Sequence, residues 1–371
     1  MPLKVLIAPD KFKGTLTAAA AATTIARGWK KVRPADRLEL LPISDGGDGF
    51  GAALGDLLNA KIQSVKTLDA AHRPCKSQWW WDARTKTAVV ESARVIGLAM
   101  LPPGKYHPFQ LDTFGLGKVL QTAQAKGARQ IIIGIGGSAT NDGGFGIARA
   151  LGWRFADLHN QDIERWTDLH KLAVVDPPAS YTFKKVVVAV DVQNRLLGRQ
   201  GATRVYGPQK GLRPKDFKLA ERCLDRLAKV IKRQLGPDFA QSLGSGAAGG
   251  LGFGLLTFLD AWPEPGFELF AKLARINQKL RPVDLVITGE GAIDHSTLMG
   301  KGVGQLARLA RKKRLPCIGL GGVVSRSRQT QPWFRELYGL TDLTDVANAK
   351  AKPAYWLEQL AKRAAKACDI A

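Results

Sequence analysis

Gln130-Ile-Ile-Ile-Gly-Ile-Gly-Gly-Ser-Ala-Thr-Asn-Asp-Gly-Gly-Phe-Gly146 joins an apolar run of strand length to a loop of glycines and small polar residues, with a helical pattern beyond it. Glycine lets the backbone turn tightly and approach a ligand closely. A helix start presents N–H groups and the positive end of the dipole. The unit therefore predicts an anion site, most simply for phosphate. Asn141 and Asp142 add polar groups beyond what grip alone needs.

The same alternation runs outward in both directions. Apolar runs at Lys4–Ala8, Leu38–Ile43, Val186–Val190 and Leu285–Thr288 are each followed by a loop and a helical segment, and Cys317–Leu320 is a further strand candidate. Strands alternating with helices predict a mainly parallel sheet covered on both faces. The unbroken apolar runs suit strands buried on two sides. Ligands of such sheets sit beyond the carboxyl ends of the strands, where the glycine loops fall. The expected fold is α/β with two domains: a Rossmann-like domain from residues 1–61 plus 261–371, and an inserted α/β domain, 62–260. The active site is expected in the interdomain cleft.

The 371 residues suffice for two cores, and the 45% hydrophobic and 23% charged content is that of a folded chain. The net charge of +23 admits nucleic acid, but no recognition motif accompanies it, so no specific nucleic-acid partner is expected. Four scattered cysteines without C-x-x-C fit a reducing, cytoplasmic setting. Phe239–Leu259 is uncharged, yet its glycines favour a loop and a buried helix over a membrane span. A homodimer is compatible with the sequence.

Five further loops carry chemistry-bearing residues. Pro9-Asp-Lys-Phe-Lys-Gly-Thr15 offers Lys11 and Lys13 to an anion. Asp45-Gly-Gly-Asp-Gly49 spaces two carboxylates as hard-cation ligands or as a helix cap. Asp191 ends the strand Val186–Val190, and Gln209 and Lys210 lie between glycine turns downstream. Gly244–Gly252 reads as a second phosphate loop or as close packing of small residues. Thr288-Gly-Glu-Gly-Ala-Ile-Asp294 sets Glu290 between glycines, with Lys301 beyond. Glycine loops, acidic loops and lysines fit phosphoryl transfer, which needs charge neutralisation and a positioned hydroxyl. Gly134–Ala139 also satisfies the dinucleotide pattern G-x-G-x-x-A, leaving a nicotinamide-dependent oxidoreductase as an alternative, with Asp157 near the distance of its ribose ligand.

Taken together, Ala8–Thr17, Ser44–Gly49, Gly134–Gly144, Gly201–Gly211, Gly244–Gly252 and Thr288–Lys301 resemble the bacterial glycerate kinase family, in order and over most of the chain. The resemblance implies ATP- and Mg2+-dependent phosphorylation of D-glycerate to 2-phosphoglycerate, or of a related small hydroxy acid. Within it, Gly136, Gly137, Ser138, Asn141, Gly246, Gly249 and Lys210 are expected to bind the nucleotide, and Asp45, Asp48 and Glu290 the metal. Asp191 is the first candidate to accept the hydroxyl proton and Asp142 the second, with Lys13 offsetting charge. Asp48 and Phe50 stand where Glu and Thr are usual, Arg195 and Val303 where proline is, and Ala292 and Ser296 where Arg and Gln are. An arginine lost there takes away a bidentate anion contact, so these changes bear on the acceptor.

Overall fold

The structure, a computed structural model, describes residues 1–179 and 183–369. The chain forms two compact units: Met1–Asp45 with Phe267–Ala371, and Gly46–Gly266.

The first unit is built on a five-stranded parallel sheet: β1 (Lys4–Ile7), β2 (Arg37–Leu40), β11 (Leu285–Ile293), β12 (Cys317–Val324) and β13 (Glu336–Gly339), in the order β13-β12-β11-β1-β2. Val5, Leu6 and Ile7 are all buried, as a central parallel strand requires. The helix Ala18–Lys30 starts at Thr17, whose side chain accepts from the Ala20 N–H. It buries Ile25 and Trp29 beside Leu357 and Leu360 of the helix Pro353–Ala367. Gly28 permits that approach, since a Cβ there would lie 2.5 Å from the Glu358 carbonyl oxygen. β11 pairs with β12 as far as Ile293, which carries Glu290 beyond the end of β1.

The second unit holds a six-stranded sheet in the order β10-β9-β6-β5-β4-β3. Its members are β3 (Lys61–Leu68), β4 (Pro74–Asp82), β5 (Thr87–Glu91), β6 (Gln130–Gly134), β9 (Lys185–Ala189) and β10 (Trp262–Glu264). β5, β6, β9 and β10 run parallel, while β3–β4–β5 form an antiparallel meander. β7 (Arg154–Asp157) and β8 (Leu172–Asp176) make a separate ribbon. Ile131, Ile133, Val186 and Val188 share one core with Leu116, Phe145, Leu224 and Phe253 from the covering helices.

The units meet in sequence at 45/46 and 266/267, not at the expected 61/62 and 260/261. The helix Phe50–Leu57 lies against Trp80 of β4: a Cβ on Gly51 or Gly55 would come within 2.0 or 2.1 Å of the indole. At the other end, β10 is tied into the sheet by its pairing with β9. Phe239–Leu259 becomes a loop and the kinked helix Ala247–Phe258, and no helix among the described residues is long and apolar enough to cross a membrane.

Candidate active site

β6 ends at Gly134, and the chain runs through Gly136, Gly137 and Ser138 before entering the short helix Phe145–Ala150. The loop folds around Asp142, which has no exposed surface. Its carboxylate accepts from the Thr113 N–H at 2.9 Å, the Thr113 hydroxyl at 2.7 Å, the Gly146 N–H at 2.9 Å and the Gly144 N–H at 3.3 Å. Burial, and then the charge of Asp112, push Asp142 up to about 6 against those hydrogen bonds. The helix start expected to receive an external anion is therefore capped from inside the protein. Asp142, expected as a proton acceptor, instead holds the loop in shape, because all of its surface faces protein.

Gly246 and Gly249, expected to touch the nucleotide, are also accounted for by packing. A Cβ on Gly246 would lie 2.2 Å from the Arg195 carbonyl oxygen, and one on Gly249 1.9 Å from that of Thr140. Ala248, Gly249 and Gly250 adopt φ of 56°, 73° and 85°, a left-handed turn that lays this segment on the Thr140–Gly143 loop. The glycines thus serve contact between two loops, the close-packing alternative noted from sequence.

Lys210 gives the site its electrostatic character. It closes the helix Ala202–Lys210, and Gly211 at φ 107° turns the chain away. The residue is 6% exposed, and its ammonium donates to the Thr140 carbonyl oxygen at 2.6 Å and to Ser138 Oγ at 3.2 Å. No carboxylate of the described residues lies at ion-pair distance, and burial lowers its pKa to about 7, opposed by the charge of Asp142. Ser138 Oγ in turn donates to the Ala248 carbonyl oxygen at 2.9 Å. Asn141 is fully buried and donates to Thr203 Oγ1 at 3.1 Å, while its Oδ1 has no hydrogen-bond partner among the described residues. A buried cation held only by neutral acceptors suits an anionic ligand.

The acidic loop of this unit joins the glycine loop. A Cβ on Gly136 would lie 2.8 Å from Gly47 Cα, and one on Gly137 2.5 Å from Asp48 Oδ1. Glu91, which sequence reasoning missed, fixes that loop by accepting from the N–H groups of Gly49 at 2.9 Å and Gly51 at 3.0 Å. Asp191 follows β9 and accepts from the Gly266 N–H at 2.8 Å. Asp157, the expected ribose ligand of the oxidoreductase alternative, accepts instead from the N–H groups of His159 at 2.8 Å and Gln161 at 2.9 Å, capping the turn that follows β7.

The first unit contains a cluster of opposite sign. Asp10, also missed, follows β1 and is 8% exposed; burial, then the charge of Asp45, raise it to about 7, with Glu290 acting in the same sense. Glu290 accepts from Thr297 Oγ1 at 2.7 Å and lies 3.4 Å from Lys301 Nζ. Burial raises its pKa, and Asp45 adds to the rise. Lys13 is exposed, and its backbone N is 3.2 Å from where a Cβ on Gly291 would stand, so the Asp10–Lys13 turn abuts the end of β11. Among the expected metal ligands, Asp45 and Glu290 thus belong to the first unit and Asp48 to the second. No group of three or more His, Cys, Asp or Glu side chains placed to hold a metal occurs among the described residues. Ala292 is exposed, and Ser296 donates to Asp294 from its N–H at 2.7 Å and its hydroxyl at 2.6 Å.

Comparison with known proteins agrees with this architecture. Residues 5–369 match the sequence profile of the glycerate kinase family. A glycerate kinase of Halalkalibacterium halodurans is 38% identical over 324 residues, covering 86% of this chain and 85% of its own. A glycerate 2-kinase of Escherichia coli K12 is 34% identical over 324 residues, with 86% and 85% covered. A solved structure from Salmonella typhimurium LT2, assigned as a glycerate kinase 2, superposes with a TM-score of 0.84 at 32% identity, covering 99% of this chain and 98% of its own.

Proposed function

The chain belongs to the glycerate kinase family, and from that premise we propose that it transfers the γ-phosphoryl group of ATP to D-glycerate, with Mg2+, giving 2-phosphoglycerate. It is a kinase, a phosphotransferase with an alcohol acceptor. The observation that carries the proposal is Lys210: a buried cation bonded to Ser138 and Thr140 without a carboxylate partner is matched by a phosphate or carboxylate. Ser138 orients that anion, Asn141 ties the loop to Thr203, and Gly136 and Gly137 keep the loop free of side chains.

The charges of Asp45 and Glu290 add to burial in raising Asp10, and that of Asp45 does the same to Glu290, an accumulation of negative charge that a divalent cation would relieve. Mg2+ commonly takes one or two carboxylates and completes its shell with water and phosphate oxygens. Glu290 and Asp45 would hold it, with Asp10 beside them. When bound, the ion neutralises charge on the phosphate oxygens. Asp191 stands as the group that accepts the proton of the acceptor hydroxyl, its carboxylate oriented by the Gly266 N–H. Lys13 and Lys301 supply positive charge to anionic groups in the first unit. A reducing cytoplasmic setting belongs to the same proposal, supported by four cysteines that form no disulfide among the described residues.

Phosphorus NMR of the products formed from Mg-ATP and a panel of small hydroxy acids tests it. A new monoester signal on D-glycerate with the coupling of a secondary phosphate is the expected result. Transfer to another acid alone would move the substrate, which the exposed Ala292 favours as a second reading. No transfer to any acid would remove the proposal.

A further inference from the structure

We propose that the first unit carries a second binding surface, for the phosphate backbone of single-stranded nucleic acid, centred on Arg308, Arg311, Lys312, Lys313 and Arg314 around Trp333. Between His295 and Arg335 the chain has no Asp or Glu, although Lys and Arg recur throughout. Of those cations, Lys301 pairs with Glu290 and Arg326 with Asp342, whereas no described carboxylate pairs with the five at 308–314. Arg308, Arg311, Lys312, Lys313 and Arg314 are all exposed.

The geometry holds this charge in place. The guanidinium carbon of Arg308 lies 5.2 Å from the Trp333 ring centroid and that of Arg311 4.9 Å. Arg311 Nη1 also donates to the Pro332 carbonyl oxygen at 3.1 Å. Two arginines fixed on one indole lose less freedom when they meet phosphate than two free side chains would. The ordinary explanation of basic residues at a helix end is the dipole. It accounts for Arg311 and Lys312 in the last turn of Gly302–Lys312. It does not account for Arg308 and Arg314 outside that turn, nor for the exclusion of acids over the whole stretch.

Nucleic acid fits better than an anionic membrane. An interfacial helix needs an exposed apolar face. The helix Gly302–Lys312 buries Val303, Leu306, Ala307 and Ala310, and no large apolar side chain between Gly302 and Gly322 is exposed. Arginine beside an aromatic ring is what a sequence-tolerant phosphate-and-base surface uses. Such a surface reads no bases, in keeping with the missing recognition motif.

Fluorescence anisotropy of a labelled single-stranded RNA of about 20 nucleotides, titrated with the full chain at several salt concentrations, decides the matter. The wild type is expected to bind with a steep salt dependence. The variant R311Q/K312Q/K313Q/R314Q should bind at least about tenfold more weakly and lose roughly 2–3 from the salt slope. The milder K312Q/K313Q should lose about half of that, so the outcome does not hang on one protein. The matched variant K61Q/K66Q/K76Q/K86Q removes as many exposed cations, all from the second unit, and should bind as the wild type does. Equal weakening in the matched variant would show a response to net charge alone and overturn the proposal. Absence of salt-dependent binding, or tighter binding to phosphatidylserine vesicles than to RNA, would overturn it as well. Unchanged kinase turnover in all variants shows that they are folded.

Discussion

The ammonium of Lys210 donates to the main-chain carbonyl oxygen of Thr140 at 2.6 Å, inside the loop that begins at the end of β6. A buried cation held by neutral acceptors is costly until an anion arrives. Lys210→Met should lower kcat/KM by roughly 100- to 1000-fold, the scale of losing one preorganised charge-stabilising donor. Its melting temperature should hold or rise, since the unpaired charge is gone. In the wild type, kcat/KM should fall as pH rises through about 7, where the free enzyme's Lys210 loses its proton. A flat profile across that range would detach the lysine from substrate binding.

Asp142→Asn should act on the fold first. The carboxylate accepts four hydrogen bonds, and an amide would turn a donor toward the Thr113 or Gly146 N–H. A loss of about 2–4 kcal/mol in urea unfolding is expected, with activity falling in parallel. Full stability with lost activity would return Asp142 to a direct chemical role.

Gly249→Ala and Gly14→Ala separate two kinds of glycine. Both sites have positive φ, 73° and 78°, but a Cβ on Gly249 would lie 1.9 Å from the Thr140 oxygen, while one on Gly14 meets nothing within 4 Å. Gly14→Ala should cost about 1 kcal/mol, the backbone preference alone. Gly249→Ala should cost about 3 kcal/mol or more as the two loops separate. Equal midpoints in urea would contradict the packing account.

Glu358 sets part of the acid stability. Hydrogen bonds from Lys31, then Arg27, hold its carboxyl down at about 2, below the ordinary 4.5. A depressed carboxylate contributes stability that is present above pH 4.5 and lost as pH falls toward 2. The Arg27 and Lys31 side chains are about half exposed, so solvent screens much of the interaction. Glu358→Gln should therefore cost only about 1 kcal/mol at neutral pH and nothing near pH 2. Unfolding curves of both proteins at the two pH values measure the difference.

Glu290→Gln tests the acidic cluster. Removing one of its charges should weaken Mg2+ by at least about tenfold, read as the shift in the metal dependence of turnover and of thermal stabilisation by Mg-ADP. Chelation should abolish transfer in the wild type. An unchanged metal requirement in the variant would place the ion elsewhere.

The sequence carried the chemistry of the strands and their ends. Unbroken apolar runs such as Ile131–Ile133 and Val186–Val188 can only be satisfied in doubly covered parallel strands, so the α/β class was legible. β10, with Pro263, and the four-residue β7 and β13 lacked the length and pattern to be seen. The helix Pro353–Ala367 was hidden for another reason: only Leu357 and Leu360 are large apolar residues on its buried face, which otherwise carries Glu358 and alanines.

At the opening loop, local pattern set the expectation that Gly136, Gly137 and Ser138 face an anion, with Lys210 from a later segment, because glycine freedom and residue charge are written in the chain itself. Only the tertiary structure decided which groups face outward. Asp142 and Gly249 share that local signature, yet one is consumed by four internal donors and the other by the Thr140 carbonyl. Asp10 and Glu91 gave no local signal, since their roles depend on partners from distant strands: Asp45 and Glu290 for one, the Gly49–Gly51 backbone for the other. Burial and hydrogen-bond partnership arise from long-range packing, and spacing along the chain does not encode them.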